Sequence, residues 1–156
     1  MTTHELYLRR ATDADLDWLC ALRNEPEAVR YSKSGVRTRE DLEHDYLHNP
    51  GKFVYIVARA DQADVGFVIL CEEGDGTFEI SIAILPELRG QGLARPLIEL
   101  GSQHAAAAHD ARGVLATIVP GNVASRRSFE ACGYVLDASA STEVLQHFLW
   151  TPTARG

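Results

Sequence analysis

Apolar and polar residues alternate from Leu6 to Arg10, the period of a strand with one buried face. Thr12 with Asp15 three residues on is a short capping box, and Leu16, Leu19, Cys20 and Leu22 then recur at helical spacing. That helix is predicted to end near Asn24-Glu25-Pro26, because the residue before a proline is pushed out of the α region. Polar residues follow as a loop up to Gly35. Thr38 with Asp41 repeats the capping signal, and Leu42, Tyr46 and Leu47 predict a second helix stopped by Asn49-Pro50-Gly51. Three β-type runs come next, over residues 53–58, 65–71 and 77–84. The short connections Asp61-Gln62-Ala63-Asp64 and Gly74-Asp75-Gly76 make them an antiparallel meander.

After Leu85-Pro86, the segment Arg89-Gly90-Gln91-Gly92 opens a long helix to about His109, with Leu93, Leu97, Leu100, Ala105 and Ala108 near one face and Gly113 closing it. Residues 114–119 form a short apolar strand. Asn122 can cap a helix over 123–132, Gly133 can end it in the left-handed conformation, and residues 134–136 and 145–150 are the last strands. The order βαα-βββ-αβ-αββ describes one α+β domain over 1–156, with a mixed, mostly antiparallel central sheet and about four helices.

Composition narrows the function without naming it. The 156 residues are 46% hydrophobic and 24% charged, so the chain can bury a core. A net charge of −7 argues against a nucleic-acid surface and is compatible with a cationic substrate such as an amine. Cys20, Cys71 and Cys132 have neither disulfide-framework nor zinc spacing, and none falls where a nucleophile would be needed. The first ten residues, MTTHELYLRR, show no apolar leader segment, no run approaches a membrane span, and a cytoplasmic location is expected.

The informative stretch runs from Glu79 to Ala94. A strand that turns through glycines into a helix presents unpaired backbone N–H groups at the positive helix end, suited to a phosphate or pyrophosphate. GxxxxGK[ST] is absent, and Gly90-Gln91-Gly92 lacks the third glycine of a dinucleotide fold. Arg89-Gly90-Gln91-Gly92-Leu93-Ala94 matches the Q/R-x-x-G-x-G/A loop of the GNAT acetyltransferase superfamily, and Asn122, Ser125, Phe129, Gly133 and Tyr134 follow its second signature. The chain resembles that superfamily over nearly its whole length. Leu8 to Thr12, Leu22 to Pro26 and Glu79 to Ile82 look like its branch of ribosomal-protein and amino-sugar N-acetyltransferases.

The resemblance implies an acetyl-coenzyme A-dependent N-acetyltransferase, with no metal. The strands ending at Ile84 and starting at Val114 should splay, with the pantetheine arm between them against Ile82 and Ile84. The loop from Arg89 through Gly90, Gln91, Gly92 and Leu93 to Ala94 should hold the pyrophosphate, with Arg89 or Arg95 adding charge, and Asn122, Ser125 and Phe129 should complete the cofactor side. Glu79 is the candidate base for the acceptor ammonium. The tyrosine that commonly protonates the leaving thiolate is replaced by Phe129, which cannot donate, so Ser125, one helical turn earlier, is the candidate acid. Ser81 shares a strand face with Glu79 and is the candidate substrate-binding residue on that strand. His44 is assigned to the acceptor pocket; His48 lies one turn on, but further metal ligands are lacking. The loops over 31–37 and 138–143 should shape the pocket. Expected partners are a small-molecule amine or a protein N-terminus and a second copy as a homodimer, with no nucleic acid and no membrane. The rival is a non-catalytic acyl-coenzyme A-binding regulatory domain, a reading that Phe129 sustains.

Overall fold

The computed structural model describes residues 5–32, 34–61 and 63–152; Lys33 in the first pocket loop, Gln62 in the first meander turn and the four residues at each end lie outside it. Its strands are β1 (Leu6–Arg10), β2 (Lys52–Arg59), β3 (Asp64–Gly74), β4 (Thr77–Ile84), β5 (Gly113–Ile118), β6 (Val135–Leu136) and β7 (Gln146–Trp150). Among the described residues they form a seven-stranded sheet in the order β1-β2-β3-β4-β5-β7-β6. Every neighbouring pair is antiparallel except β4 and β5. That parallel pair is joined through the long helix α4 (Ala94–His109), as a parallel connection requires.

The period-two alternation sorts the sheet into two cores. Tyr55, Val57, Val68, Leu70, Phe78 and Ile80 face α4 and α5 (Val123–Ala131), whereas Val54, Ile56, Phe67 and Ile69 face α1 (Leu16–Arg23) and α3 (Arg39–Leu42). Gly101 lets α4 lie close on the first core, since a Cβ there would stand 2.8 Å from side-chain carbons of both Ile80 and Val68.

Several boundaries differ from expectation. The polar segment after Asn24 contains a short helix, α2 (Pro26–Arg30), which Pro26 can open and which Glu25 caps by accepting from the Ala28 N–H at 2.8 Å. The second predicted helix is split: α3 continues as a π-helical turn over Glu43–Leu47. Asp110, at φ 54°, ends α4, and Gly113 instead opens β5. No helix among the described residues is long and apolar enough to cross a membrane.

Candidate active site

The parallel ladder between β4 and β5 is short: Thr77, Phe78 and Glu79 oppose Gly113, Val114 and Leu115, and pairing then stops. Each strand keeps its outer antiparallel partner, β4 as far as Ile84 opposite Gly66 and β5 as far as Ile118 opposite Gln146. The sheet therefore opens as a V, and the edge of β4 beyond Glu79 faces a cleft of about 870 Å³. Ile82 and Ile84 line that opening, as expected for an edge that offers its backbone.

Glu79 sits where the V begins, half-buried, and its Oε2 accepts from the Thr117 hydroxyl at 2.5 Å. Thr117, on the facing strand, was not singled out from sequence; only the β4–β5 register makes the two neighbours. Ser81 is exposed two residues along the same face of β4 and lines the cleft.

Beyond Ile84 the chain enters a 3-10 turn (Pro86–Leu88) and then the glycine loop. Gly90 and Gly92 stand at φ 78° and 79°, a left-handed backbone that favours glycine, and no atom lies within 4 Å of the place where either Cβ would be. Leu93 gives the first turn of α4 no side-chain cap, and the uncapped N–H groups of a helix start are suited to an anion. Gly90, Gly92, Leu93 and Ala94 line the cleft; Gln91 instead turns to the Glu87 carbonyl at 3.3 Å, and Arg95 is exposed outside the lining. Arg89 reaches the cleft, but its guanidinium is committed to Glu25 and, at 3.2 Å, to Glu27. It ties the loop to α2, where a free phosphate-facing cation was expected.

Asn122 caps α5 by accepting from the Ser125 N–H at 3.3 Å, and both residues line the cleft. Phe129 lines it too, as a buried ring packed edge-on to Tyr134 with centroids 4.9 Å apart. The Tyr134 hydroxyl does not replace the missing acid. It is hydrogen-bonded to Ser102 at 2.6 Å in the core, lies outside the lining, and burial pushes its ionisation well above the usual tyrosine range.

The opposite wall corrects the expected acceptor pocket. His44 is exposed and lies outside the lining, because on the π-helical turn it is Tyr46 that points inward and is buried. His48 has Asp13 and Glu43 for neighbours, their ligand-type atoms within 4.8 Å of one another and two of the three residues exposed. The loop over 31–37 does contribute, through Tyr31, Ser32, Ser34 and Arg37, whereas residues 138–143 do not reach the cleft. Arg23, Lys52 and Cys71, unassigned from sequence, complete this side.

Cys71 thus stands where sequence reading placed no cysteine, opposite Glu79 in the β3–β4 register. Burial raises its thiol pKa, Lys52 opposes this, and Glu73 and Glu79 add to it, so the thiolate needed for a covalent route is disfavoured. Burial likewise raises Asp45, just outside the lining, but hydrogen bonds from Lys52, Arg37 and Asn49 outweigh it and hold the carboxyl at about 2.

A family model described as an acetyltransferase (GNAT) domain matches residues 5–135. Among solved structures, the chain is similar to spermidine N-acetyltransferase from Vibrio cholerae in complex with CoA and spermine, with TM-score 0.82 and 21% identity over 94% of this chain and 95% of that one. A domain from Methanocaldococcus jannaschii has TM-score 0.82 at 18% identity, covering 96% of this chain and 100% of that one. A dodecameric structure of the Vibrio cholerae spermidine enzyme in an intermediate state has TM-score 0.76 at 20% identity, over 94% and 93% of the two chains. No curated protein sequence matches significantly.

Proposed function

The chain belongs to the GNAT acetyltransferase family, and we propose that it transfers the acetyl group of acetyl-coenzyme A to a primary amine by direct attack in a ternary complex. The observation that carries this reading is the position of Glu79: a carboxylate at the point where β4 and β5 part, between an open strand edge and the wall formed by Tyr46, Lys52 and Cys71.

An alkylammonium with a pKa of about 10 cannot attack a thioester, so its proton must go to a base. Glu79 takes it, directly or through water, while the hydrogen bond from Thr117 fixes the carboxylate. Attack turns the thioester carbonyl into an oxyanion, and a backbone N–H on the open edge at Ile82 or Ile84 receives that charge. Collapse releases a thiolate whose pKa of about 8.5 makes a proton donor helpful but not obligatory. Ser125, one turn before the inert Phe129 ring, is that donor in this reading: its hydroxyl relays to the thiolate the second proton that the attacking nitrogen sheds as the amide forms, and is itself restored. The glycine loop and the start of α4 hold the pyrophosphate through amides.

A small-molecule acceptor is favoured over a protein N-terminus. The segment over the acceptor side is pinned, with the Asn24 side chain donating to the Arg37 carbonyl at 2.7 Å and accepting from the Arg37 N–H at 2.8 Å. A mouth held in this way suits a compact ligand more than a threaded chain.

The test is thiol release against a panel of small amines and N-terminal peptides, comparing wild type with Glu79→Gln. At pH 7 the variant should lose about 10²–10⁴-fold in turnover, the usual contribution of a positioned base, with coenzyme A affinity nearly unchanged. Alkaline buffer supplies neutral amine and should restore much of the rate. A Glu79→Gln enzyme that works normally at pH 7, or loses melting temperature and rate together without alkaline rescue, overturns this role. Absence of turnover with every amine in a protein that binds the thioester favours the regulatory domain.

A further inference from the structure

The acceptor side carries a charge pattern that proton abstraction does not require. Arg23 at the end of α1, Arg37 in the following loop and Lys52 at the start of β2 converge on one wall of the cleft. Lys52 Nζ and Arg37 Nη1 both donate to Asp45 Oδ2, at 2.7 and 2.9 Å, and the two cationic side chains are only 19% and 24% exposed. Arg23 donates to neutral acceptors, the Gly35 carbonyl at 3.0 Å and the Ser34 hydroxyl at 2.7 Å, and forms no ion pair among the described residues. Two of the three cations thus share one carboxylate, and the third has no carboxylate partner among the described residues. Asp45 lies just outside the lining, and the acidic residues that line the cleft are Glu27, ion-paired with Arg89, and Glu79 itself.

An excess of like charge inside a cleft is unfavourable unless a ligand of opposite sign completes it, and guanidinium and ammonium groups are the usual receivers of carboxylate and phosphate. The sheet register sets the spacing. Lys52 opposes Cys71 on β3, and Cys71 opposes Glu79 on β4, so the cation and the base lie two strands apart on one row, about 10 Å at the backbone.

Resting on the acyl-transfer reading above, we propose that the acceptor is a small amine that also carries an oxyanion, carboxylate or phosphate, seated against Arg23, Arg37 and Lys52 with its amine directed to Glu79. A polyamine does not fit this wall, since each further ammonium would be driven towards three cations with a single carboxylate between them. The oxyanion supplies orientation: once held, it leaves the amine a few bonds away at the floor of the V.

Matched pairs test the proposal in two ways. Thiol release is measured with alanine and alaninamide, phosphoethanolamine and ethanolamine, glucosamine 6-phosphate and glucosamine, and spermidine; the carboxylate and phosphate arms identify which oxyanion is preferred. Binding of the same compounds to the protein–coenzyme A complex is followed by calorimetry, so that the result does not depend on turnover.

The acid-bearing member of at least one pair should exceed its neutral partner about tenfold or more in kcat/KM and in affinity, the usual value of a charge-assisted hydrogen bond. Lys52→Gln should remove that preference through KM while coenzyme A affinity stays within about twofold, and Lys52→Arg should retain it. Equal binding of acidic and neutral partners, or preference for spermidine, overturns the proposal whatever the rate. Weakened coenzyme A binding in Lys52→Gln overturns it too, by assigning the wall to the cofactor. Discriminating binding without thiol release upholds the oxyanion site and refutes the acyl-transfer reading instead.

Discussion

Replacing Gly92 by aspartate tests the glycine loop in a way that separates charge from shape. Gly92 is exposed at φ 79° with nothing within 4 Å of its missing Cβ, so a side chain there meets backbone strain but no clash. Strain in the left-handed region is roughly 1–2 kcal/mol for an ordinary residue and less for Asn or Asp, which enter that region more readily. If amides of this loop hold a pyrophosphate, the new carboxylate stands within about 5 Å of it. Coulomb's law then gives about 1 kcal/mol of repulsion per phosphate charge in bulk water and about 3 at the effective dielectric of a protein surface. Coenzyme A affinity should therefore fall about 5- to 150-fold in Gly92→Asp. Gly92→Asn has the same shape and no charge, so it should lose only a small part of this. Calorimetry at low and high salt is the assay, because repulsion between exposed charges shrinks as the Debye length contracts. Wild-type affinity in Gly92→Asp, or an equal and salt-independent loss in Gly92→Asn, would refute a pyrophosphate at these amides.

Two further predictions concern Ser125 and Asp45. Ser125→Ala should lower turnover more than acetyl-coenzyme A affinity, and adding Phe129→Tyr should restore part of the rate by returning a hydroxyl to the α5 face that lines the cleft; an unchanged rate in Ser125→Ala removes the serine from the chemistry. Asp45 titrates near 2 in the folded protein against 3.8 for an ordinary aspartate, so its carboxylate stabilises the fold above about pH 4 and that contribution disappears as pH falls through about 2. The gap corresponds to roughly 2 kcal/mol, and Asp45→Asn should lower the melting temperature near neutrality while flattening its decline between pH 4 and 2. A parallel downward shift at every pH would mean that the carboxylate charge is not what Lys52 and Arg37 hold.

Local signals predicted elements where side chains act on their own backbone. Thr12, Thr38 and Asn122 each mark a cap that forms, and the alternation of Val54, Tyr55, Ile56 and Val57 separates the two faces of the sheet as period-two reasoning requires. Short-range chemistry failed where one residue serves two elements. Glu25 ends the region of α1 and also caps α2, and proline at the first helical position looks in sequence like the stop it often is. The glycine loop was readable because its function resides in consecutive backbone amides. Thr117 was not, since nothing in a stretch of apolar strand marks which hydroxyl will face a carboxylate 38 positions earlier; that follows from where the β4–β5 ladder ends.

Charge shows the same limit in its clearest form. A net charge of −7 describes the average field far from the molecule, and it invited a cationic acceptor. Inside the cleft the sign is reversed, because α1, the loop before α3 and the first residue of β2 bring Arg23, Arg37 and Lys52 together, while one carboxylate, Asp45, is shared between two of them. An acceptor feels chiefly the charges within about one Debye length, roughly 8 Å in physiological salt, and low-dielectric walls strengthen those near charges further. Acidic residues elsewhere on the surface are screened from this pocket, so selectivity follows the local wall. An amine bearing an oxyanion is therefore compatible with an acidic protein, and raising ionic strength should weaken its diffusional capture much less than it would weaken attraction to an exposed patch.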